Sequence, residues 1–425
     1  MRKLMSSLAR RRTLSAGLGL LALVALIGGL IMYGAGADRR GDSTEFNVKE
    51  RPGSSGSPEG FSTWPIWGRT PARDRFDPNT RVHPPFSKRW TYRTQSLLEF
   101  PPAGDGQYLY VGANDGNIHA ISVIDGSRRW IARTPGPIAS TPAVADDRIF
   151  VTSMDGTLYV LDIDTGQIDW TFKAKSRLES SPIVLGRRVY FGAHDGTVYA
   201  VSIRRRRAVW TYHADAPVKA APAVRGDRLY VGDYNGRMHC IRIGDGSRVW
   251  VTQTRREFSF GGSLYSTPAI AYGRVYVGST DGRMYSLGAK SGEVIWVRST
   301  GDWVYASPAV AHQRVFAGSY DGHFYAFDAR TGDVVWEFNT GSGERISGSA
   351  SVVGNVVYFS TIGGTTYGLD IKRGKVRWTF ADGRYSPVIS DDSGIYLTGY
   401  TKVYRFAAPS AAPVNGASRA RSGNS

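Results

Sequence analysis

Eight tryptophans divide this chain at nearly constant intervals. Trp90, Trp130, Trp170, Trp210, Trp250, Trp296, Trp336 and Trp378 follow one another at spacings of 40, 40, 40, 40, 46, 40 and 42 residues. A chain that repeats one pattern at such a period folds as copies of a single supersecondary unit, and each copy buries its faces only against its neighbours. The unit is clearest over residues 307–336, SPAVAHQRVFAGSYDGHFYAFDARTGDVVW. A short apolar strand follows Ser307-Pro308, a second runs over 314–319, and Asp321-Gly322 marks a hairpin turn of the two-residue type I′ kind. A third strand over 323–328, the Thr331-Gly332 turn and a last strand ending at Trp336 complete a four-stranded antiparallel meander. Four strands in about 40 residues, with no helical periodicity, predict the blade of a β-propeller.

The ends of the chain predict how the ring closes. Residues 385–406 supply three strands and stop without a tryptophan strand, whereas residues 87–92, SKRWTY, form a tryptophan strand with no unit before it. Each supplies what the other lacks, so the N-terminal strand carrying Trp90 is expected to finish the eighth blade and leave no open edge. The fold class is all-β, an eight-bladed propeller over residues 61–406.

The flanking segments read differently. Residues 1–12 contain Arg2, Lys3, Arg10, Arg11 and Arg12, and residues 13–37 carry no charge. The uncharged stretch is long enough to span a bilayer, with its basic end in the cytoplasm and the propeller outside. Ala35-Gly36-Ala37 before Asp38 also fits a cleaved signal peptide, which would leave the propeller secreted. Residues 38–60 lack periodic apolar positions and read as a flexible tether, and residues 407–425 as a disordered tail. The net charge is +17, of which the chain beyond residue 37 holds 48 basic against 36 acidic residues. This excess is spread along the sequence, so it predicts no nucleic-acid groove. Cys240 is the single cysteine, which excludes an intramolecular disulfide and places a small apolar side chain in a strand slot held elsewhere by Ala120, Ala200 and Ala326.

With the units aligned, the wording S-P-A-V, Y-V-G-x-x-D-G-x-x-Y-A-x-D and T-G-x-x-x-W resembles the pyrroloquinoline-quinone (PQQ) enzyme-repeat propellers. The residues that carry it include Ser307, Pro308, Asp321, Gly322, Tyr325, Asp328, Thr331, Gly332 and Trp336, and the likeness spans residues 64–406. The opening WPIWGRTPARDRF, residues 64–76, is similar to the segment leading into the first strand of these proteins. That superfamily includes quinoprotein alcohol dehydrogenases and non-enzymatic BamB-like assembly propellers, so the resemblance implies the fold and leaves the activity open. It implies structural roles for the tryptophan and glycine of each unit. The dehydrogenases would bring PQQ, calcium ligands, long insertions and an adjacent cysteine pair. One cysteine and units of 40 residues depart from that pattern, and no assigned calcium ligand matches Glu99 or Glu179. A lipid anchor on an N-terminal cysteine is likewise missing from residues 1–37.

Candidate sites lie where the units differ. The third residue before the S-P proline reads Glu99, Ala139, Glu179, Lys219, Tyr265, Tyr305, Ser347 and Arg384 around the ring, between flanks that scarcely change. In a propeller these positions circle one channel mouth, so Glu99, Glu179, Lys219, Tyr265, Tyr305 and Arg384 are the expected ligand or partner residues. The longest interval carries VTQTRREFSFGGSLYSTP, in which Arg255, Arg256, Phe258 and Phe260 form a candidate contact loop on the same face. Residues 204–207, four arginines, replace one D-x-x-T-G turn and read as either a solvated turn or an anion-facing patch. His119 and His239 stand in the slot of Tyr159, Tyr199, Tyr285 and Tyr325, which favours packing over metal ligation. No metal-ligand spacing and no catalytic triad is present. The serines recur because each unit carries one at S-P. The expected function is a non-enzymatic, membrane-anchored, monomeric propeller outside the cytoplasm that holds an envelope protein or a cell-surface polymer. The alternatives are a PQQ-dependent dehydrogenase and a carbohydrate-binding sensor.

Overall fold

The computed structural model describes residues 38–53, 63–80, 82–254, 262–341, 343–385 and 387–409. They form eight four-stranded antiparallel blades of a propeller, seven of them with their four strands in sequential order. In blade 6 the strands are Ala309–Ala311, Arg314–Gly318, His323–Asp328 and Val334–Asn339, numbered from the axis outward. The outermost strand continues three residues beyond Trp336, where the sequence reading had ended it. A register shift between Ala326 and Phe327 precedes that tryptophan.

The turns also differ from expectation. At Asp321-Gly322 only the glycine has positive φ, at 83°, and its N–H donates to Ser319 O at 3.2 Å. This is a three-residue loop ending in a left-handed glycine, because a type I′ turn would need Asp321 left-handed as well. Pairs with both residues left-handed occur instead between the two inner strands, at Asp146-Asp147 (48° and 57°) and His312-Gln313 (49° and 58°).

Ring closure follows the sequence. The strand Ser87–Arg93 pairs antiparallel with Lys402–Ala407, placing Ser87 opposite Ala407 and Trp90 opposite Arg405. The eighth blade thus takes its outer strand from the N-terminal side of the chain and its other three from the C-terminal side. Ala407, assigned by sequence to the tail, is still in the sheet, and residues 410–425 lie outside the described residues.

Trp90, Trp130, Trp210, Trp250, Trp296 and Trp336 each lock their blade onto the next. The Trp130 indole N–H donates to Ile163 O at 2.9 Å, Trp296 to Ala329 O at 3.1 Å and Trp336 to Ile371 O at 3.0 Å. The ring lies on the turn glycine of the neighbouring blade. A Cβ at Gly166 would come within 2.6 Å of the Trp130 ring, and one at Gly332 within 2.7 Å of Trp296. The glycine therefore serves close approach as well as positive φ. Blade 3 breaks this rule. Its turn is the arginine run, and Arg206 occupies the corresponding left-handed position at φ 54°.

The axis is filled by residues 64–77. The free edges of the innermost strands would otherwise present unpaired N–H groups to one another. Instead Gly104 N donates to Trp64 O at 2.9 Å, Val144 N to Pro65 O at 2.8 Å, and Val224 N to Pro71 O at 2.7 Å. Ile270 N, Val310 N and Val352 N then reach Ala72 O, Asp74 O and Arg75 O, each at 2.8 Å. The segment thus visits blades 1, 2, 4, 5, 6 and 7 in turn, and Phe76–Asp77 adds a short parallel strand to Ser351–Val353. Its ends meet at blade 8, where Trp64 Nε1 donates to Ser390 Oγ (3.1 Å) and Ser390 Oγ donates to Asp77 Oδ2 (2.7 Å). Three buried guanidinium groups complete this circlet. Arg73 donates to the carbonyls of Pro222 (2.9 Å), Pro182 (3.4 Å) and Trp67, and Arg75 to Pro308 O at 2.9 Å. Arg69 donates to Phe76 O at 3.2 Å and lies 3.6 Å from Asp77.

Residues 38–53 correct the sequence reading of a flexible tether. Arg39 makes an antiparallel bridge with Val297 on the outer strand of blade 5, and Arg274 donates to the carbonyls of Asp42 and Thr44 at 2.7 and 2.9 Å. Phe46 stacks on Tyr272 with ring centroids 5.2 Å apart, and Gly53 N donates to Asp74 Oδ2 at 2.7 Å. The segment runs from the rim of blade 5 to the axis. It lacks an apolar period because most of its anchoring is through backbone groups. Residues 54–62 lie outside the described residues, as do residues 13–37. Among the described residues no helix is long and apolar enough to cross a membrane.

Removing residues 1–62 should leave one cooperative unfolding transition at a lowered temperature, since the circlet and the closing strand remain. Removing residues 1–95 should abolish cooperative unfolding in calorimetry; matching melts for the two truncations would refute this account of closure. Arg206→Gly should stabilise the protein by about 1 kcal/mol in denaturant titration, the left-handed cost of a side chain there.

Candidate functional site at the channel mouth

The ring of variable positions opens on one mouth of the channel. Glu99, Glu179, Lys219, Tyr265, Tyr305 and Ser347 are half-buried in the segments leading into their innermost strands, whereas Leu98, Leu178, Val218, Leu264, Val304 and Ile346 before them are buried. These six side chains line one cavity of about 310 Å³. The circlet contributes Trp67 to the lining, and Arg75 packs over that indole at 4.9 Å. Tyr320 and Tyr385 also reach the cavity. The structure therefore brings together five of the six expected mouth residues.

Charge within the cup is paired. Lys219 Nζ lies 3.1 Å from Glu179 Oε2, with His194 Nε2 3.4 Å from the other carboxylate oxygen. The same ammonium stands 5.0 Å from the Tyr234 ring centroid and 5.8 Å from that of Tyr265, within cation–π range. Burial first, then repulsion from Glu179, raises the Glu99 carboxyl above its ordinary value, and Lys219 opposes the rise. Burial likewise raises the phenols of Tyr234 and Tyr265, with further contributions from neighbouring phenols and both glutamates. Burial and then Lys219 lower the His194 imidazole, keeping it neutral at neutral pH.

An aromatic series leads from the cup to its rim. Tyr265 and Tyr305 are 5.0 Å apart, Tyr305 and Tyr320 stack at 5.1 Å, and Trp303 lies 5.6 Å from Tyr305 and 6.0 Å from Tyr320. Trp303 is 44% exposed, unusually open for a tryptophan. It is one of three tryptophans outside the repeat pattern, with Trp64 and Trp67, and that departure was the available signal for it.

Other expected positions fall elsewhere. Arg384 is not in the cavity lining; its guanidinium packs over the Tyr400 ring at 5.1 Å, and Tyr385 takes its place in the cup. Arg255, Arg256, Phe258 and Phe260 lie outside the described residues. The flank of that segment does reach the mouth, since Ser263 Oγ donates to Tyr234 O at 2.8 Å. His119 and His239 are buried in the tyrosine slot and also take part in hydrogen bonds between blades, with Tyr92 and Tyr212 at 2.9 Å each. Cys240 is buried in blade 4, and burial pushes its thiol up to about 12, far from a reactive thiolate. Residues 204–207 are an exposed hairpin turn.

The cup does not fit a calcium-bound quinone. Among the described residues no three His, Cys, Asp or Glu side chains converge. A divalent ion at Glu179 would also confront the Lys219 ammonium already bound there.

Comparison with known proteins agrees with this architecture. The family described as outer membrane protein assembly factor BamB matches residues 114–271 and 253–381. The chain belongs to that family. Among solved structures the family's BamB from Moraxella catarrhalis is similar, with TM-score 0.68 and 17% identity over 76% of this chain and 100% of that one. A europium-containing methanol dehydrogenase gives TM-score 0.70 and 14% identity over 82% and 98% of the two chains. Quinohemoprotein alcohol dehydrogenase from Comamonas testosteroni gives 0.69 and 13% over 81% and 80%. At such identities these likenesses establish a shared fold, for members of the family and dehydrogenases alike. No curated protein matches the chain.

The raised Glu99 carboxyl has a pH consequence. The folded protein holds that proton to higher pH than the unfolded chain, so this group's contribution is fully present below the unfolded value, about 4.3, and is lost as pH rises through the folded value. Glu99→Gln should therefore flatten the fall in melting temperature just above that pH. An unchanged slope would show that Glu99 does not titrate in this way.

Proposed function

We propose that this protein is a non-enzymatic binding module of the cell envelope, held in a membrane by residues 13–37 with its propeller outside the cytoplasm, and that the channel-mouth cup grips an envelope protein or a cell-surface polymer. The observation that carries this reading is the convergence of Glu99, Glu179, Lys219, Tyr265 and Tyr305 on one cavity that Trp67 also lines. These are the positions at which the units depart from their common pattern, and their flanks serve packing. A concave surface with aromatic faces and a few converging charges is the usual form of a recognition site. Membership of the BamB family supports a binding role. The mismatch between the cup and a calcium-bound quinone argues against the dehydrogenase alternative.

A photo-crosslinking residue in place of Trp303 should trap a partner in intact envelopes, and one in place of Val335, exposed on the outer strand of blade 6, should trap none. Equal yields at the two positions would sink the mouth as the binding face. PQQ with calcium should cause no shift in melting temperature and no dye-linked alcohol oxidation; either response would favour the dehydrogenase.

A further inference from the structure

The deepest polar groups of the cup are hydroxyls that the repeat itself supplies. Ser181, Thr267, Ser307 and Ser349 line the cavity on blades 3, 5, 6 and 7 and are all at least nine-tenths buried. Each hydroxyl oxygen accepts a backbone N–H from the preceding blade. Thr141 N donates to Ser181 Oγ at 2.9 Å, Ala221 N to Thr267 Oγ1 at 3.2 Å, and Thr267 N and Ser307 N to Ser307 Oγ and Ser349 Oγ at 3.0 Å each. A hydroxyl carries one donor as well as its lone pairs. These bonds occupy the oxygens as acceptors, and none of the four O–H groups has an acceptor among the described residues. The S-P hydroxyl of blade 2 does have one: Thr141 Oγ1 donates to Pro101 O at 3.0 Å. The cup thus has a crown of buried donors without acceptors, and a buried polar group left in that state is costly unless water or a ligand meets it.

Above the crown the chemistry changes. Glu99 and Glu179 supply carboxylate acceptors, Lys219 an ammonium donor, and Tyr265, Tyr305, Tyr320 and Trp303 a run of aromatic rings reaching the rim. A planar aromatic anion would suit the crown and the rings but would face two glutamates. An organic cation would suit the glutamates but would leave four O–H dipoles directed at positive charge. A pyranose meets all three demands, because each sugar hydroxyl both donates and accepts and the ring presents C–H faces to aromatic groups.

We propose that the cup binds one sugar ring of an oligosaccharide, with its oxygens on the hydroxyls of Ser181, Thr267, Ser307 and Ser349, and that the adjoining sugar stacks on Trp303. This inference rests on the mouth being the binding face and narrows the partner to the cell-surface polymer.

The test uses the full-length chain in detergent, titrated calorimetrically with cellotetraose, maltotetraose and chitotetraose and applied to an array of microbial polysaccharides. Binding of at least one of these glycans is expected. Trp303→Ala, a surface change that should not perturb folding, should weaken it about tenfold, equivalent to about 1.4 kcal/mol. Ser307→Ala should weaken it similarly while Val335→Ala has no effect, with unchanged melting temperatures showing that the fold is intact. Should Ser307→Ala unfold, Glu179→Gln serves in its place. Glycan binding that none of the cup variants alters would overturn the site. No glycan binding alongside a protein adduct at position 303 would overturn the sugar and leave the mouth as a protein-binding face. If neither glycan nor protein is held there, both readings fall.

Discussion

The innermost strand of every blade has one edge at the axis, where no strand of another blade pairs with it, and the molecule depends on how those edges are satisfied. Residues 64–77 lend one carbonyl after another to successive blades. The edges also carry prolines, which have no N–H and turn carbonyls inward; Pro182, Pro222 and Pro308 are met by the guanidinium donors of Arg73 and Arg75. Backbone acceptors thus answer strand donors, and arginine donors answer proline acceptors. A buried guanidinium is costly where its bonds are not made, and Arg75, whose Nε and Nη2 have no hydrogen-bond partner among the described residues, packs its guanidinium over Trp67. The same segment supplies Trp67, so the structure that seals the axis also forms part of the cup.

Around the circumference the cohesion is local. Six of the repeat tryptophans, all but Trp170 and Trp378, reach one neighbouring carbonyl and one neighbouring glycine, which makes most of the ring a set of nearest-neighbour contacts. Arg206 shows what happens when one contact is altered: its left-handed backbone is retained although glycine has been replaced. The surrounding hairpin holds that conformation, since Arg206 N donates to Ser202 O at 2.7 Å. Nothing in the structure explains why the substitution is there.

Much of this was legible in the sequence because it depends on period. Tryptophan spacing carries the blade count, and the incomplete units at 87–92 and 385–406 carry the closure, since counting strands needs no tertiary information. The mouth positions were legible for the same reason. The path of residues 64–77 was not: its bonds join atoms far apart in sequence, and its buried arginines look like ordinary surface residues in composition. Residues 38–53 read as a tether because backbone carbonyls, which leave no side-chain pattern, hold them down. Arg384 was misplaced because its long side chain reaches Tyr400, and strand position alone does not say where an arginine will lie. The S-P hydroxyls were visible in six of the eight units, yet their repetition suggested only a motif. It takes the ring geometry to show that four of them face one space.

The eighth blade joins Ser87 to Ala407, nearly the whole length of the propeller apart in sequence. During synthesis the strand carrying Trp90 emerges early and has no sheet to join until the last unit has been made. Seven blades can stack progressively through contacts between neighbours, but this pairing must pay its loop-closure entropy in one step. Folding is therefore expected to end in a slow, all-or-none latch, with an open-ring intermediate whose lifetime is set by chain topology and not by the stability of any single blade.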